Sequence, residues 1–225
     1  MVVQNKIVFI IGRDSWHKDN AVNHVLINFL KESNYKIEWQ DPAGNVLHLL
    51  RNFENKFKKL PKSLKKINLR LVQLFYGILH WNYFVYLYIL RNGSIDLRIQ
   101  KLKKRIEKLG NQNEIIVLAR SSGGRFCSKI ADDLEIKQLI CLSYPFKHPH
   151  EKPEKDRYLH LEKIATPMLI IQGDMDEYGG SEIKEQYNFS ACVDLMFVNS
   201  DHNFLLCEDE WKRVLSTISE KIELN

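Results

Sequence analysis

The sequence predicts an α/β fold: a mostly parallel sheet of about six strands, flanked by helices on both faces. Three observations carry that expectation. Short runs rich in Val, Ile and Leu recur along the chain, they are apolar without alternation, and segments of helical period lie between most of them. A strand with one wet face alternates polar and apolar residues, whereas a strand covered on both faces reads as a continuous apolar run. The alternation of strands with helices is the pattern of right-handed βαβ units.

In chain order, strands are expected over Lys6 to Ile11, Lys36 to Gln40, Ile115 to Ala119, Gln138 to Leu142, Met168 to Gln172 and Asp194 to Asn199. Each is bounded by Gly, Pro, Asp or Asn, the residues that punctuate strands. Helical periodicity marks Asn20 to Glu32, Asp96 to Leu109, Arg125 to Asp133, Glu182 to Tyr187 and Glu210 to Ile222. A chain of 225 residues is expected to form one domain, 1–225, with a single large core.

Residues 44–94 depart from this rhythm. They are too long for one crossover and read as a helical cap inserted into the domain, broken at Pro61 and at Asn92-Gly93. The stretch LVQLFYGILHWNYFVYLYIL, Leu71 to Leu90, approaches the length of a membrane span. A single crossing would place the strands before and after it on opposite sides of a bilayer, so no transmembrane span is expected. Gln73, Gly77, His80, Phe84 and Tyr88 follow the spacing of one helix face, which puts His80 on a stripe that could face a pocket.

Formal net charge is +5, but residues 51–70 carry eight Lys or Arg against the single acid Glu54. The remainder of the chain is therefore slightly acidic, and the basic character is local. That argues against a nucleic-acid-coating protein, and there is no recognition helix, zinc spacing or stacking motif. The basic and aromatic segment 51–90 is a possible peripheral contact for a membrane surface or a protein partner. The four cysteines are scattered without a CxxC pair, so reduced thiols are expected. MVVQNKIVFIIGRDSW has no small-residue cleavage site, and a cytoplasmic protein is expected.

The chemistry gathers at the ends of strands. IIVLA runs into Arg120-Ser121-Ser122-Gly123-Gly124 and then a helical segment. A nucleophile between small residues, on a tight turn from strand to helix, is a nucleophile elbow, with Ala119 standing where glycine is usual. An acid and a histidine are then expected later in the chain. GDMDE follows the strand MLIIQ and SDHNF follows DLMFVN, which nominates Asp176 as the acid, with Asp174 as its alternative, and His202 as the base. The oxyanion donors expected are the backbone N–H groups of Ser122 and, from the loop after the first strand, Arg13. Gly12, Trp16, His80 and Tyr144 are the candidate pocket residues. The other histidines, and Asp201 beside His202, are expected in packing, surface or turn roles.

These residues carry a resemblance. ARSSGGR, LSYPFKHPHEKPEKDRYLHLEKIATPMLIIQGDMDEYG and SDHNF resemble, in that order, the small α/β-hydrolase branch that contains dienelactone hydrolases and the hydrolase-like regulatory subunits of a histone acetyltransferase complex. The match spans roughly residues 110–210 and, weakly, the first 40. It implies the α/β-hydrolase fold and places Ser121, Asp176 and His202 at the family's triad positions. Ile11 stands where a His-Gly pair usually opens the oxyanion loop, and the insertion has no counterpart. The resulting expectation is a serine hydrolase acting on a small-molecule carboxylic ester or related acyl substrate through an acyl-serine intermediate, with no metal and no organic cofactor. The alternative is an inactive hydrolase-fold interaction protein that uses the insertion as its contact.

Overall fold

The computed structural model describes residues 5–12, 20–32, 35–56, 60–111, 113–152 and 154–223. In chain order these form β1 (Asn5–Ile11), α1 (Asn20–Glu32), β2 (Lys36–Trp39), α2 (Gly44–Lys56), α3 (Lys62–Leu79), α4 (Asn82–Asn92), α5 (Ile95–Gly110) and β3 (Asn113–Arg120). There follow α6 (Ser122–Ser128), β4 (Ile136–Leu142), β5 (Met168–Gly173), α7 (Ile183–Gln186), β6 (Val193–Val198) and α8 (Glu208–Glu223). The six strands make one sheet in the order β2-β1-β3-β4-β5-β6, and every pair is parallel.

The apolar strands are explained by the side chains on each face. Val8, Ile10, Ile116, Leu118, Ile140, Leu142, Leu169 and Ile171 pack in one core cluster with Val22, Leu26 and Leu30 of α1 and Val214, Ile218 and Ile222 of α8. Their neighbours in sequence, Ile7, Phe9, Ile11, Ile115, Val117, Leu139, Cys141 and Ile170, point the other way. They meet Leu102 and Ile106 of α5, Cys127 of α6 and Ile183 of α7. Period-two side-chain geometry deals successive residues to opposite faces, and both faces are dry.

The strand order also locates the working edge. The chain lays β2 on one side of β1, then crosses back over β1 to lay β3 on its other side. Reversal of direction opens a crevice at the carboxyl ends of the strands on either side of the switch, here β1 and β3. Ser121 follows β3 and Gly12 follows β1. The crossing from β2 to β3 also changes faces, since Leu47 of α2 and Tyr83 of α4 belong to the first cluster and α5 to the second.

Two expectations are corrected here. The apolar run Leu71 to Leu90 is not one helix: it is split between α3 and α4 at His80 and Trp81, where the Tyr83 N–H donates to the His80 carbonyl. The helices fold back closely enough that a Cβ on Gly77 would lie 2.4 Å from the Phe84 ring. No helix among the described residues is long and apolar enough to cross a membrane. The helix expected over Arg125 to Asp133 stops at Ser128, and a 3₁₀ turn covers Ala131–Asp133. That turn delivers Asp132 to the loop before β5, where its carboxylate accepts from the backbone of Ala165 and Thr166 and from the Thr166 hydroxyl.

One buried histidine makes the fold sensitive to acid. His48 of α2 is 4% exposed, accepts from Asn52 at 3.0 Å and lies beside the Trp39 ring. Burial, aided by Lys31 and His24, lowers its pKa to about 4. The unfolded chain, with histidine near pH 6.5, binds the proton more readily, so stability falls as pH drops from about 6.5 towards about 4. Thermal unfolding midpoints across this range should fall more steeply for the wild type than for His48→Gln.

Candidate active site

The elbow is built by backbone strain that side-chain size permits. Ser121 adopts φ 52° and ψ −121°, a region that non-glycine residues seldom occupy. It is held there by its own N–H, which donates to Leu142 O of β4 at 3.0 Å, and by its carbonyl, which accepts from Gly124 at 2.9 Å. The residues that follow must be small. A Cβ on Gly123 would lie 2.6 Å from Ile11 Cγ2 and 2.9 Å from Ile11 O, and one on Gly124 only 2.0 Å from Cys141 Sγ. Ala119, 1% exposed, stands in register with Ile11 and Cys141.

Three strand ends bring three side chains together. Ser121 Oγ lies 2.9 Å from His202 Nε2, and His202 Nδ1 lies 2.9 Å from both Oδ1 and Oδ2 of Asp176. All three residues are buried. An ionised carboxylate can only accept, so Nδ1 carries the proton and Nε2 turns a lone pair towards the serine hydroxyl. Asp174, the alternative acid, instead accepts from the Ser200 N–H at 3.2 Å and ties the two loops together. Asp201 accepts from the backbone and side chain of its neighbour Asn203, a local turn as expected.

The carboxylate is oriented by residues that sequence reasoning missed. Gln172, fully buried, donates from Nε2 to Asp176 Oδ2 at 2.9 Å, to Gly179 O at 2.6 Å and to Tyr144 O at 3.2 Å, while its Oε1 accepts from the Tyr144 N–H at 2.8 Å. Tyr178 donates its backbone N–H to Asp176 Oδ1 at 2.8 Å, and its ring lies 4.3 Å from the His202 ring. Gly179 turns there at φ 131°. Arg120, beside the nucleophile, reaches across to His202 O at 2.5 Å with its guanidinium over the Phe204 ring. The available signal was polarity in the wrong place: a glutamine ends an otherwise apolar run, and an arginine lies next to the elbow.

The remaining site candidates divide. Ser122 opens α6, where the first N–H groups of a helix have no intrahelical acceptor. Gly12 lies against the elbow, its carbonyl 3.1 Å from where a Gly123 Cβ would stand. Arg13 and Trp16 lie outside the described residues. Tyr144 does not line a pocket: it is fully buried, and its hydroxyl donates to Arg157 O at 2.6 Å beside Ser128 and His160. Burial pushes its phenol well above the usual tyrosine range. His80 is exposed at the end of α3 with its ring against Tyr76, because the break in the helix takes it off the expected stripe.

A model of the α/β hydrolase domain matches residues 93–222, more than half of the chain and all of the elements that carry the three side chains. The chain belongs to the α/β hydrolase domain family. Among solved structures, the Pyrococcus furiosus esterase Pf2001 aligns with a TM-score of 0.61 at 14% identity, over 99% of this chain and 82% of its own. An alpha-beta serine hydrolase homologue from Coxiella burnetii gives 0.56 at 16%, over 98% and 86%, and Est1E from Butyrivibrio proteoclasticus 0.54 at 14%, over 97% and 89%. At such identities the likeness is one of fold. Among curated proteins, none matches the chain in sequence.

Two substitutions test what supports the site of this α/β hydrolase. Gln172→Leu strands the Tyr144 N–H and the Gly179 carbonyl in a dry interior, and urea denaturation should report a loss of about 1–3 kcal/mol. Gly124→Ala should cost about 1–3 kcal/mol by overpacking against Cys141. Adding Cys141→Ala removes the sulfur that the new methyl meets, so the double variant should be more stable than the sum of the two single losses implies.

Proposed function

We propose that this α/β hydrolase is a serine hydrolase that cleaves a carboxylic ester or related acyl bond through an acyl-serine intermediate. One observation carries the reading: a serine on a strained elbow, 2.9 Å from a histidine nitrogen whose other nitrogen is held by a buried carboxylate. A hydroxyl is a weak nucleophile by itself, and a positioned base that removes its proton during attack is what activates it.

In this mechanism Ser121 Oγ attacks the acyl carbon while His202 Nε2 takes its proton, and Asp176 stabilises the imidazolium and holds the ring. The Ser122 N–H, with a donor from the loop after β1 such as Arg13, faces the developing oxyanion. As the tetrahedral intermediate collapses, His202 returns the proton to the leaving alkoxide and Ser121 is left acylated. Water then attacks the acyl-serine with His202 as base, releasing the acid and restoring the hydroxyl. Gly12 is assigned to the acyl pocket, residues 44–94 to a cap over it, and the chain to the dienelactone-hydrolase-like branch that its motifs resemble. This chemistry calls for no metal or cofactor.

Labelling with a fluorophosphonate followed by peptide mapping tests the proposal. The adduct is expected on Ser121, absent in Ser121→Ala and lost in His202→Ala. With p-nitrophenyl esters, Asp176→Asn should lower kcat by roughly 10⁴-fold, because the wrong histidine tautomer then faces the serine. A folded wild type that neither labels nor turns over small esters would overturn the reading.

A further inference from the structure

The helix α3 presents two apolar faces, and only one has a partner among the described residues. Towards the body, Gly77 is buried, and Leu69, Val72 and Tyr76 pack on the core cluster that includes Trp39 and Leu47. The Tyr76 hydroxyl donates to Pro42 O at 2.8 Å and Gln73 to the Tyr83 hydroxyl at 3.4 Å. These contacts fix which way the helix is turned. Away from the body, Leu64, Ile67, Leu71, Leu74, Phe75 and Ile78 are 45–62% exposed. Their spacing places them along one side of a helix of 18 residues, about 27 Å long. At its end Leu79 and Trp81 are 78% and 75% exposed. Contiguous exposed apolar surface of this extent marks an interaction site.

Charge says what kind. No acidic residue lies between Glu54 and Asp96, while eight Lys or Arg do. Glu54 itself is buried against Arg51 and Asn68. Lys62, Lys66 and Arg70 are exposed on the first half of α3, and at 100° per residue Arg70 falls on the flank of the apolar stripe, Lys66 further round the helix and Lys62 on the side away from it. A second copy docked through the same face would set cations against cations. Nucleic acid would set phosphates against leucine and isoleucine. A surface with an apolar interior and anionic headgroups satisfies both parts at once.

We infer that α3 is an interfacial anchor, lying in the plane of an anionic lipid surface with Leu71, Phe75 and Ile78 in the acyl boundary and Arg70, with the long side chain of Lys66, reaching the headgroups. It grips without crossing, and Trp81 sits at the level where aromatic rings favour the interface. The inference does not depend on Ser121 being nucleophilic.

Flotation of the full chain with vesicles tests it, using phosphatidylcholine alone and phosphatidylcholine mixed with phosphatidylserine. The wild type and Ser121→Ala are both expected to float with the anionic vesicles at low salt, and much less with neutral ones or at high salt. The triple variant Lys62→Glu/Lys66→Glu/Arg70→Glu should bind about tenfold more weakly or worse. Phe75→Ser/Ile78→Ser, folded by circular dichroism, should also lose binding. Absence of flotation by the folded wild type at low salt would sink the idea, as would binding unaffected by both variants. Concentration-dependent self-association that Phe75→Ser/Ile78→Ser abolishes, without vesicle binding, would assign the face to a second copy instead.

Discussion

The geometry of the candidate site depends on one backbone torsion, the positive φ of Ser121. A non-glycine residue in that region costs on the order of 1–3 kcal/mol, and the surroundings offset it. β4 accepts the Ser121 N–H, the helix that begins at once accepts the chain beyond it, and Gly123 and Gly124 let β1 and Cys141 close in. With an ordinary strand torsion the side chain would follow the alternation of β3 into one of the two apolar cores. The strain instead lifts Oγ to the sheet edge, where His202 can reach it.

That constraint has a second level, because a lifted hydroxyl is useless beside a mobile base. His202 is held through its ring by Asp176 and through its backbone carbonyl by Arg120, so the residue preceding the nucleophile also anchors the loop that carries the base. Asp176 is in turn held by Gln172, which joins the β5 end to the Tyr144 backbone and to Gly179. Gly173 belongs to the same arrangement, since a Cβ there would meet Ser200 O at 2.3 Å. β5 and β6 can therefore end close together, which brings the acid and the base within hydrogen-bond distance.

Much of the fold was legible because the inner strands are covered on both faces, and continuous apolar runs such as IIVLA and MLIIQ have no other economical reading. Asn20–Glu32 is legible whole because its apolar residues Val22, Leu26 and Leu30 keep helical spacing and pack in one core cluster. Ser121, Asp176 and His202 were legible because each follows a strand, and parallel strands end on one edge. What was not legible depends on contacts distant in sequence. Tyr144 reads as a pocket residue from the sequence, whereas its hydroxyl is committed to Arg157, Ser128 and His160. His80 falls on a helical stripe only if Leu71 to Leu90 is one helix, and the break between α3 and α4, with Phe84 folded back on Gly77, removes that premise. Gln172 carries no local pattern, and its importance appears only when the loops after β4 and β5 converge on one amide.

The position of residues 44–94 follows from the same topology as the site. Every strand runs in one direction, so the connection leaving β2 starts at the carboxyl edge where Ser121, Asp176 and His202 are gathered. It is also the connection that must cross β1 and change from one face of the sheet to the other before α5 can descend to β3. An insertion at that crossing lengthens a path the chain has to take anyway, and leaves the strand registers untouched. Helices added there pack inward on Trp39 and Leu47 and leave their other side exposed. In that arrangement a change in the outer residues of α3 leaves the elbow undisturbed, because the elbow sits on strands that these helices do not help to pair.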